Sequence, residues 1–428
     1  MSSTAAKLAG LGKLQIGGEA TFGTVSTQLA DVQCVSVDRS GLTHAPIEDM
    51  HQKQELLEVE RILGVKGGQI VTEHYLHGWS STVPAAAPSH AMPEDAGDGF
   101  DKLFGALAAA FGDQVTGGYL ASLDLDNGGG PSTTTQLKSM DADSTWAAGS
   151  FASGQAIAWE RSIAGLYEVD WITDIDDTGD PNTMDTLQDM TEAPARDKVW
   201  GSYTAATKTG DPYRPGNPNL TSFSLKIFGH DSDDVLTALG CVPTGLTMTF
   251  AMGEPARMTI TWGVQDWSEA GSGGAPAVQT WTFPPPEALT RGMVAWGTTK
   301  ANPRPIRDLT FDLGITVQPV LDYNSANHIS GWVTVDRKST VSFSVLRDVS
   351  EEPTDYAALT GKAFTATFGS QPGKMFSLCV PKAFIADFPG FADGDGQVLA
   401  PVTLYPGYYT GDTGSGNAFD TDLRFAFV

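Results

Sequence analysis

The densest run of ligand-type side chains is Asp174-Ile175-Asp176-Asp177-Thr178-Gly179-Asp180-Pro181-Asn182-Thr183-Met184-Asp185. Oxygen donors at Asp174, Asp176, Thr178, Asp180 and Asp185 fall at positions a calcium loop uses, and Gly179 stands where such a loop turns sharply. Two features oppose that chemistry. Asp185 fills the twelfth position, where a longer Glu usually binds through both oxygens, and Tyr167–Ile172 reads as a strand where the loop needs a helix. An acidic turn is the expectation, with ion binding as the second reading. Asp393-Gly394-Asp395-Gly396 and Asp124-Leu125-Asp126-Asn127-Gly128 are weaker versions, since Asp-Gly serves hairpin turns for conformational reasons alone.

His74 and His77 could supply two metal ligands, but in a strand they would point to opposite faces, and no third ligand is near in sequence. Cys34, Cys241 and Cys379 are odd in number and far apart, which suits idle or buried thiols and excludes an ordinary zinc site. The chain has no Gly-x-Ser-x-Gly elbow, no phosphate-binding Gly-x-x-x-x-Gly-Lys and no dinucleotide fingerprint. Carboxylates are abundant, yet no pair stands out as a glycosidase acid and base. Trp146, Trp159, Trp171, Trp262 and Trp332 lie in strand-like text, where core or subunit packing accounts for them better than a sugar groove. No catalytic centre, metal or cofactor is expected.

The elements that carry these residues follow from composition. The chain has 428 residues, with 48 Gly and 25 Pro punctuating short runs of Thr, Val, Phe and Trp, which points to a mainly β fold of more than one core. Its formal charge of −25 opposes a surface made to grip phosphate backbones. No apolar run is long enough to span a bilayer, and Met1 to Gly18 does not read as a signal peptide.

Taken in order, residues 31–38 and 69–76 alternate as strands, with Leu63 to Gly68 reading as a turn between them. Glu48 to Leu63 fits a helix, a long hairpin arm or a solvated loop. Leu103, Phe104, Leu107 and Phe111 share one apolar face of a short helix from Phe100, stopped by Gly112. Further strands are expected at 120–125, 146–157, 166–172, 309–320, 329–335, 399–404 and 421–428. Residues 124–215, with their acidic stretch, read as a loop-rich surface insertion in a first domain, 1–267. Residues 268–289 are Gly-, Ser-, Ala- and Pro-rich and form the expected linker to a second domain, 290–428.

One stretch occurs twice. Ser222-Phe223-Ser224-Leu225 and Ser342-Phe343-Ser344-Val345 each lead, at nearly equal spacing, to Thr-Phe (Thr249-Phe250, Thr367-Phe368). A proline turn then gives Ala256-Arg257-Met258 and Gly373-Lys374-Met375. Two copies of one supersecondary unit are the reading.

Together with Glu19-Ala-Thr-Phe-Gly23-Thr24, Leu239-Gly-Cys-Val242, Gly331-Trp-Val-Thr-Val-Asp-Arg337, Val380-Pro-Lys-Ala-Phe-Ile385 and the closing Leu423-Arg-Phe-Ala-Phe427, these motifs make the chain resemble a major tail tube protein of long-tailed bacteriophages. That is the lambda-type family, related in fold to type VI secretion tubes. The resemblance spans most of the chain outside 124–215. It implies two tandem tail-tube β-sandwich or barrel-like domains, each with a short flanking helix. Three copies would then close a pseudo-hexameric ring that stacks into a hollow tube. It further implies a virion-tail protein made in the host cytoplasm, which meets tape measure, tail terminator and distal tail proteins while viral DNA passes through without specific binding. No membrane partner is implied. The segment carrying Glu48, Asp49, Glu55, Glu58 and Glu60 is then the expected inter-ring stacking loop, and the insertion an outer decoration. A carbohydrate-binding or hydrolytic β-protein, and a non-stacking capsid, baseplate or head-tail component, stay open as alternatives.

Overall fold

A computed structural model describes residues 13–47, 62–80, 82–86, 99–120, 125–126, 136–139, 151–161, 166–176, 182–189, 199–207, 220–229, 235–270, 286, 288–289, 292–297, 306–346, 351–387, 390, 392–394, 397–413 and 421–428. Antiparallel strands dominate. The chain begins with β1 (Lys13–Gly18), β2 (Ala30–Val32), β3 (Ser36–Asp38), β4 (Leu42–Ile47), β5 (Ile62–Tyr75) and helix α1 (Gly99–Phe111). A middle part follows with β6 (Gly112–Leu120), β7 (Leu125–Asp126), β8 (Gln136–Ser139), β9 (Ala156–Glu160), β10 (Tyr167–Asp176), β11 (Asn182–Thr186) and β12 (Val199–Thr207). Then come β13 (Phe223–Phe228), β14 (Val235–Ala251), β15 (Arg257–Val264) and β16 (Asp266–Ala270). The last part holds β17 (Gly292–Trp296), β18 (Ile306–Asp312), β19 (Ile315–Leu321), β20 (Ile329–Arg337), β21 (Thr340–Leu346) and helix α2 (Glu351–Ala358). It ends with β22 (Lys362–Phe368), β23 (Phe376–Ile385), β24 (Ala392–Gly394), β25 (Gln397–Pro406) and β26 (Arg424–Phe427).

Helix α1 forms where its apolar spacing predicts. Phe100, Leu103, Phe104, Leu107 and Phe111 are buried, and Gly112 ends the helix at φ 113°, a left-handed value that favours glycine. Burying five such side chains stabilises the fold by about 10 kcal/mol before entropy is counted. The helix lies against β1, β2, β12 and β14. Phe111 stacks on Phe311 of β18, so α1 also touches the last part of the chain.

The strand pairings occur in two matching sets. In the N-terminal set β1 pairs with β13, β13 with the first half of β14, and β16 flanks that half on its other side. The second half of β14 pairs with β15, β15 with β5, and β5 with β3. In the C-terminal set β17 pairs with β22, β22 with the first half of β23, and β26 flanks that half. The end of β23, continued by β24, pairs with β25, β25 with β21, and β21 with β18. An arm hairpin, β4 with the start of β5 or β19 with β20, separates the outer two strands of each set, and a helix follows.

This order moves the register of the duplicated stretch. Matching Ser222-Phe-Ser to Ser342-Phe-Ser sets β13 against β21, whereas the pairings set β13 against β22 and β14 against β23. The register irregularities agree, since one lies between Phe223 and Leu225 and the other between Lys362 and Phe364. Leu220 then corresponds to Leu359, Gly240 to Lys382, Val242 to Phe384 and Gly263 to Tyr405. The Ser-Phe-Ser signal misled because alternating small-polar and large-apolar residues suit any strand with one buried face.

The two sets share one sheet and one core. The outer edge of β14 pairs with β18, from Thr247 opposite Asp312 to Ala251 opposite Asp308. Phe250 stacks on Phe368 at 4.8 Å and 11° between ring planes. Strand β16 runs to Ala270, so the first residues of the expected linker are strand. Leu63 to Gly68, read as a turn, is part of β5 and pairs with β4; its glycines allow strands to approach closely, as Gly68 does against Gly41.

The middle part also departs from expectation, because it is anchored and not laid on the surface. Strand β12 pairs with β6 and β9 and, from Tyr203 to Ala206, with the closing strand β26. Trp159, Trp171, Val199 and Trp200 are buried there, and Trp171 and Trp200 pack with Met375, Cys379, Ala426 and Val428. High acid content described the connections between these strands and concealed the apolar residues that bury.

Candidate functional site

The corner where β14 passes from its pairing with β13 and β16 to its pairing with β15 is built from residues far apart in sequence. Gly240 holds φ 59° there. The Glu19 carboxylate accepts four hydrogen bonds: from the Gly23 N–H at 2.8 Å, the Ser222 hydroxyl at 2.8 Å, the Ser224 hydroxyl at 2.8 Å and the Gly240 N–H at 3.0 Å. A buried carboxylate with this many donors is compensated for its lost hydration. Trp332 of β20 donates from Nε1 to the Gly240 carbonyl at 3.0 Å, and the Gln265 amide donates to the Ile329 carbonyl at 2.6 Å. Burial, reinforced by the Glu19 charge, pushes the Cys241 thiol well above its ordinary pKa, so it is an inert core group.

Trp332 reaches this corner through the arm of the C-terminal set. Its ring fills the notch at Gly263, where a Cβ would meet it at 2.8 Å. Val242, Ile329 and Trp332 form a small buried cluster, with Phe22, Leu220 and Val317 packed against it. Four separated motifs, Glu19 to Thr24, Ser222-Phe-Ser, Leu239-Gly240 and Gly331-Trp332, thus meet at one point. Sequence spacing could not reveal this, because three of the four partners of Glu19 lie more than 200 positions away.

A short bridge ties equivalent-looking turns together. The Leu76 N–H donates to the Ala256 carbonyl at 2.9 Å and the Ser80 N–H to the Gly373 carbonyl at 3.2 Å. Gly78 lies against Gly373, with no room for a Cβ. Beneath it, Trp262 Nε1 donates to Thr72 Oγ1 at 2.9 Å. The Thr72 hydroxyl donates to His74 Nε2 at 2.9 Å, and His74 Nδ1 donates to the Gln33 carbonyl at 2.8 Å. Burial holds His74 down at about 4 and also lowers His77, so both are neutral structural histidines.

The sheet face opposite the core carries small polar groups. On β14, β15, β18 and β21 the outward positions include Thr249, Thr259, Thr261, Thr310, Asp312 and Ser342, alternating with buried Met248, Phe250, Ile260, Leu309, Phe311 and Val341. Arg257 lies at one end of this face and is neutralised by Glu73 at 3.0 Å. Hydroxyls and carboxylates of this kind hold water and repel a polyanion.

The acidic candidates fall into two groups. Asp174 and Asp185 lie directly opposite each other on β10 and β11, and Asp176 faces Thr183. The flanks are therefore hairpin strands and not the helices a calcium loop requires. Thr178 and Asp180 lie outside the described residues, as do Glu48, Asp49, Glu55, Glu58 and Glu60. The feet of that expected loop are visible as the β4–β5 hairpin, with Ile47 opposite Ile62. Among the described residues no three His, Cys, Asp or Glu side chains are grouped to hold a metal, and no helix is long and apolar enough to cross a membrane. The cysteines are free, with Cys241 and Cys379 buried and Cys34 half-buried. Trp159, Trp171, Trp262 and Trp332 are core residues.

No family model matches the chain, and no curated protein resembles it in sequence.

Proposed function

We propose that this chain is a structural subunit of a bacteriophage tail tube of the long-tailed type. Three copies close a pseudo-hexameric ring, rings stack into a hollow tube, and DNA passes along the bore. The observation that carries this reading is the repeated pairing order with its head-to-tail join, β14 on β18. A unit that adds its own likeness by one sheet edge has a free edge at each end. Heterologous contacts of this kind make rings when the rotation closes.

The polar sheet face and the charge of −25 support the conduit reading. A bore lined mainly by Thr, Ser and Asp, with Arg257 paired to Glu73, gives passing phosphates little to bind, and such a role needs no catalytic group or cofactor. The segment beyond the β4–β5 feet serves inter-ring stacking. Tape measure, terminator and distal tail proteins are partners at the tube ends.

Negative-stain microscopy of the purified chain tests this directly. Tubes or stacked rings are the expected result. Monomers that bind glycans would replace this reading with a carbohydrate-binding protein, and rings that never stack with a baseplate or head-tail component. Deleting residues 48–60 should leave soluble rings without long tubes, and unchanged polymerisation would exclude a stacking role.

A further inference from the structure

Among the described residues, the corner of the C-terminal set keeps an apolar patch exposed. In the N-terminal set the corresponding residues are Leu220, Val242 and Gly263, and the β19–β20 arm covers them through Trp332. Val242 is accordingly 2% exposed. In the C-terminal set the same positions are Leu359, Phe384 and Tyr405. Leu359 is 64% exposed and Tyr405 39%, and Phe384 stacks on Tyr405 at 5.6 Å beside the Lys382 ammonium. Tyr408, close by in sequence, is 85% exposed. The stacked Phe384–Tyr405 pair, with exposed Leu359 at the position equivalent to Leu220, marks a contact surface, whereas single exposed apolar groups carry no such meaning.

Two strand edges are open as well among the described residues. In the N-terminal set the outer edge of β14 is taken by β18, while among the described residues β24 pairs only with β25 and β3 only with β5. Strand β3 corresponds to β18, with Val37 in the place of Leu309, and each is followed by its arm.

We propose that the C-terminal corner receives the β4–β5 arm of a second copy of this chain, with β3 of that copy paired along β24. The inference rests on the ring-forming reading above and names its seam. Transferring the register of β14 on β18 sets Asp38 opposite Ala392, Val37 opposite Asp393 and Ser36 opposite Gly394, antiparallel. The occupant is a second copy because the covered corner is filled by the matching arm of the same chain. Sheet pairing and arm docking then both run in one direction around the ring, as they do inside the chain.

The test uses the full chain with Cys34→Ser, carrying Val37→Cys, Asp393→Cys or both, oxidised and run on a non-reducing gel. The double variant should give a ladder of cross-linked dimers and trimers, and neither single variant should. Tyr405→Lys, at an exposed position, should lose rings while its melting temperature stays that of the wild type. Rings without cross-links in the double variant, or Tyr405→Lys rings like those of the wild type, would overturn the seam and leave the ring reading standing. Cross-linking by Val37→Cys alone would mean a two-fold contact and overturn the seam too. A wild type that never forms rings, with a double variant that still cross-links into open chains, would support the seam and reject the ring. Monomers without cross-links would reject both.

Discussion

At Gly240 the N-terminal corner is held from two sides, its N–H by Glu19 and its carbonyl by Trp332 of an arm that belongs to the other set. At Lys382 the C-terminal corner has the same strand order and, among the described residues, an exposed apolar patch. The contrast continues nearby. Where the chain approaches β13 through Leu220, it approaches β22 through Leu359, which holds a left-handed φ of 50° just after α2. Lys66 at the foot of one arm bonds the Trp267 carbonyl at 3.1 Å, while Arg337 at the foot of the other grips Asp422 at 2.7 and 2.8 Å. Both feet are tied by a cation to the last strand of their own set or its border. The framework is therefore duplicated, and the difference lies in which surfaces are satisfied within one chain.

Removing the cover should make the corners alike. Trp332→Ala should cost about 3 to 5 kcal/mol, from the lost ring, the emptied notch at Gly263 and an unpaired Gly240 carbonyl, read as a lower denaturant midpoint. A cost below about 1 kcal/mol would mean that the arm merely rests there.

The pH response should come from the N-terminal set alone, because His74 corresponds to Val345. His74 is depressed to about 4 in the folded protein and titrates near 6.5 when unfolded. The unfolded chain binds the extra proton, so stability should fall as pH drops from about 6.5 to 4, by roughly 3 kcal/mol in all. His74→Val should reduce the slope in that window in pH-dependent melting, leaving the part that buried His77 contributes. An unchanged slope would assign the effect elsewhere.

Glu19→Gln tests the clamp on the other side of Gly240. One carboxylate oxygen becomes an NH2 group facing donors, which leaves a backbone N–H or a hydroxyl unpaired and should cost about 2 kcal/mol in chemical denaturation. Ring formation should survive, since the C-terminal corner lacks this clamp.

The smallest effect separates conformation from contact. Leu359→Gly removes left-handed strain and should raise monomer stability by up to about 1 kcal/mol. It also removes part of the landing patch, so assembly measured by light scattering should weaken while the melting temperature rises. A rise in both would make Leu359 a helix cap and nothing more.

Much of this was legible in sequence. The face Leu103, Phe104, Leu107 and Phe111, stopped by Gly112, specified α1 because a helix satisfies its own backbone and so depends on local residues. Of the strand-like tryptophans, Trp159, Trp171, Trp262 and Trp332 were readable as core, and Trp146 lies outside the described residues. The corner was not, because Glu19 shows nothing in sequence of the donors that meet it. The middle part was misjudged from its acids, which lie beside the apolar residues that anchor it.

Sequence alone determined that the chain is β-rich and that a short helix carrying Phe100 to Phe111 is stopped by Gly112. Only the tertiary structure decided which strands correspond, that β14 joins β18, and that one corner is covered while the other is open. A strand's alternation records which face is buried, but its hydrogen bonds run from backbone to backbone and accept any partner of suitable length. Pairing is therefore settled when the whole sheet assembles, and the positions of its open edges are settled with it.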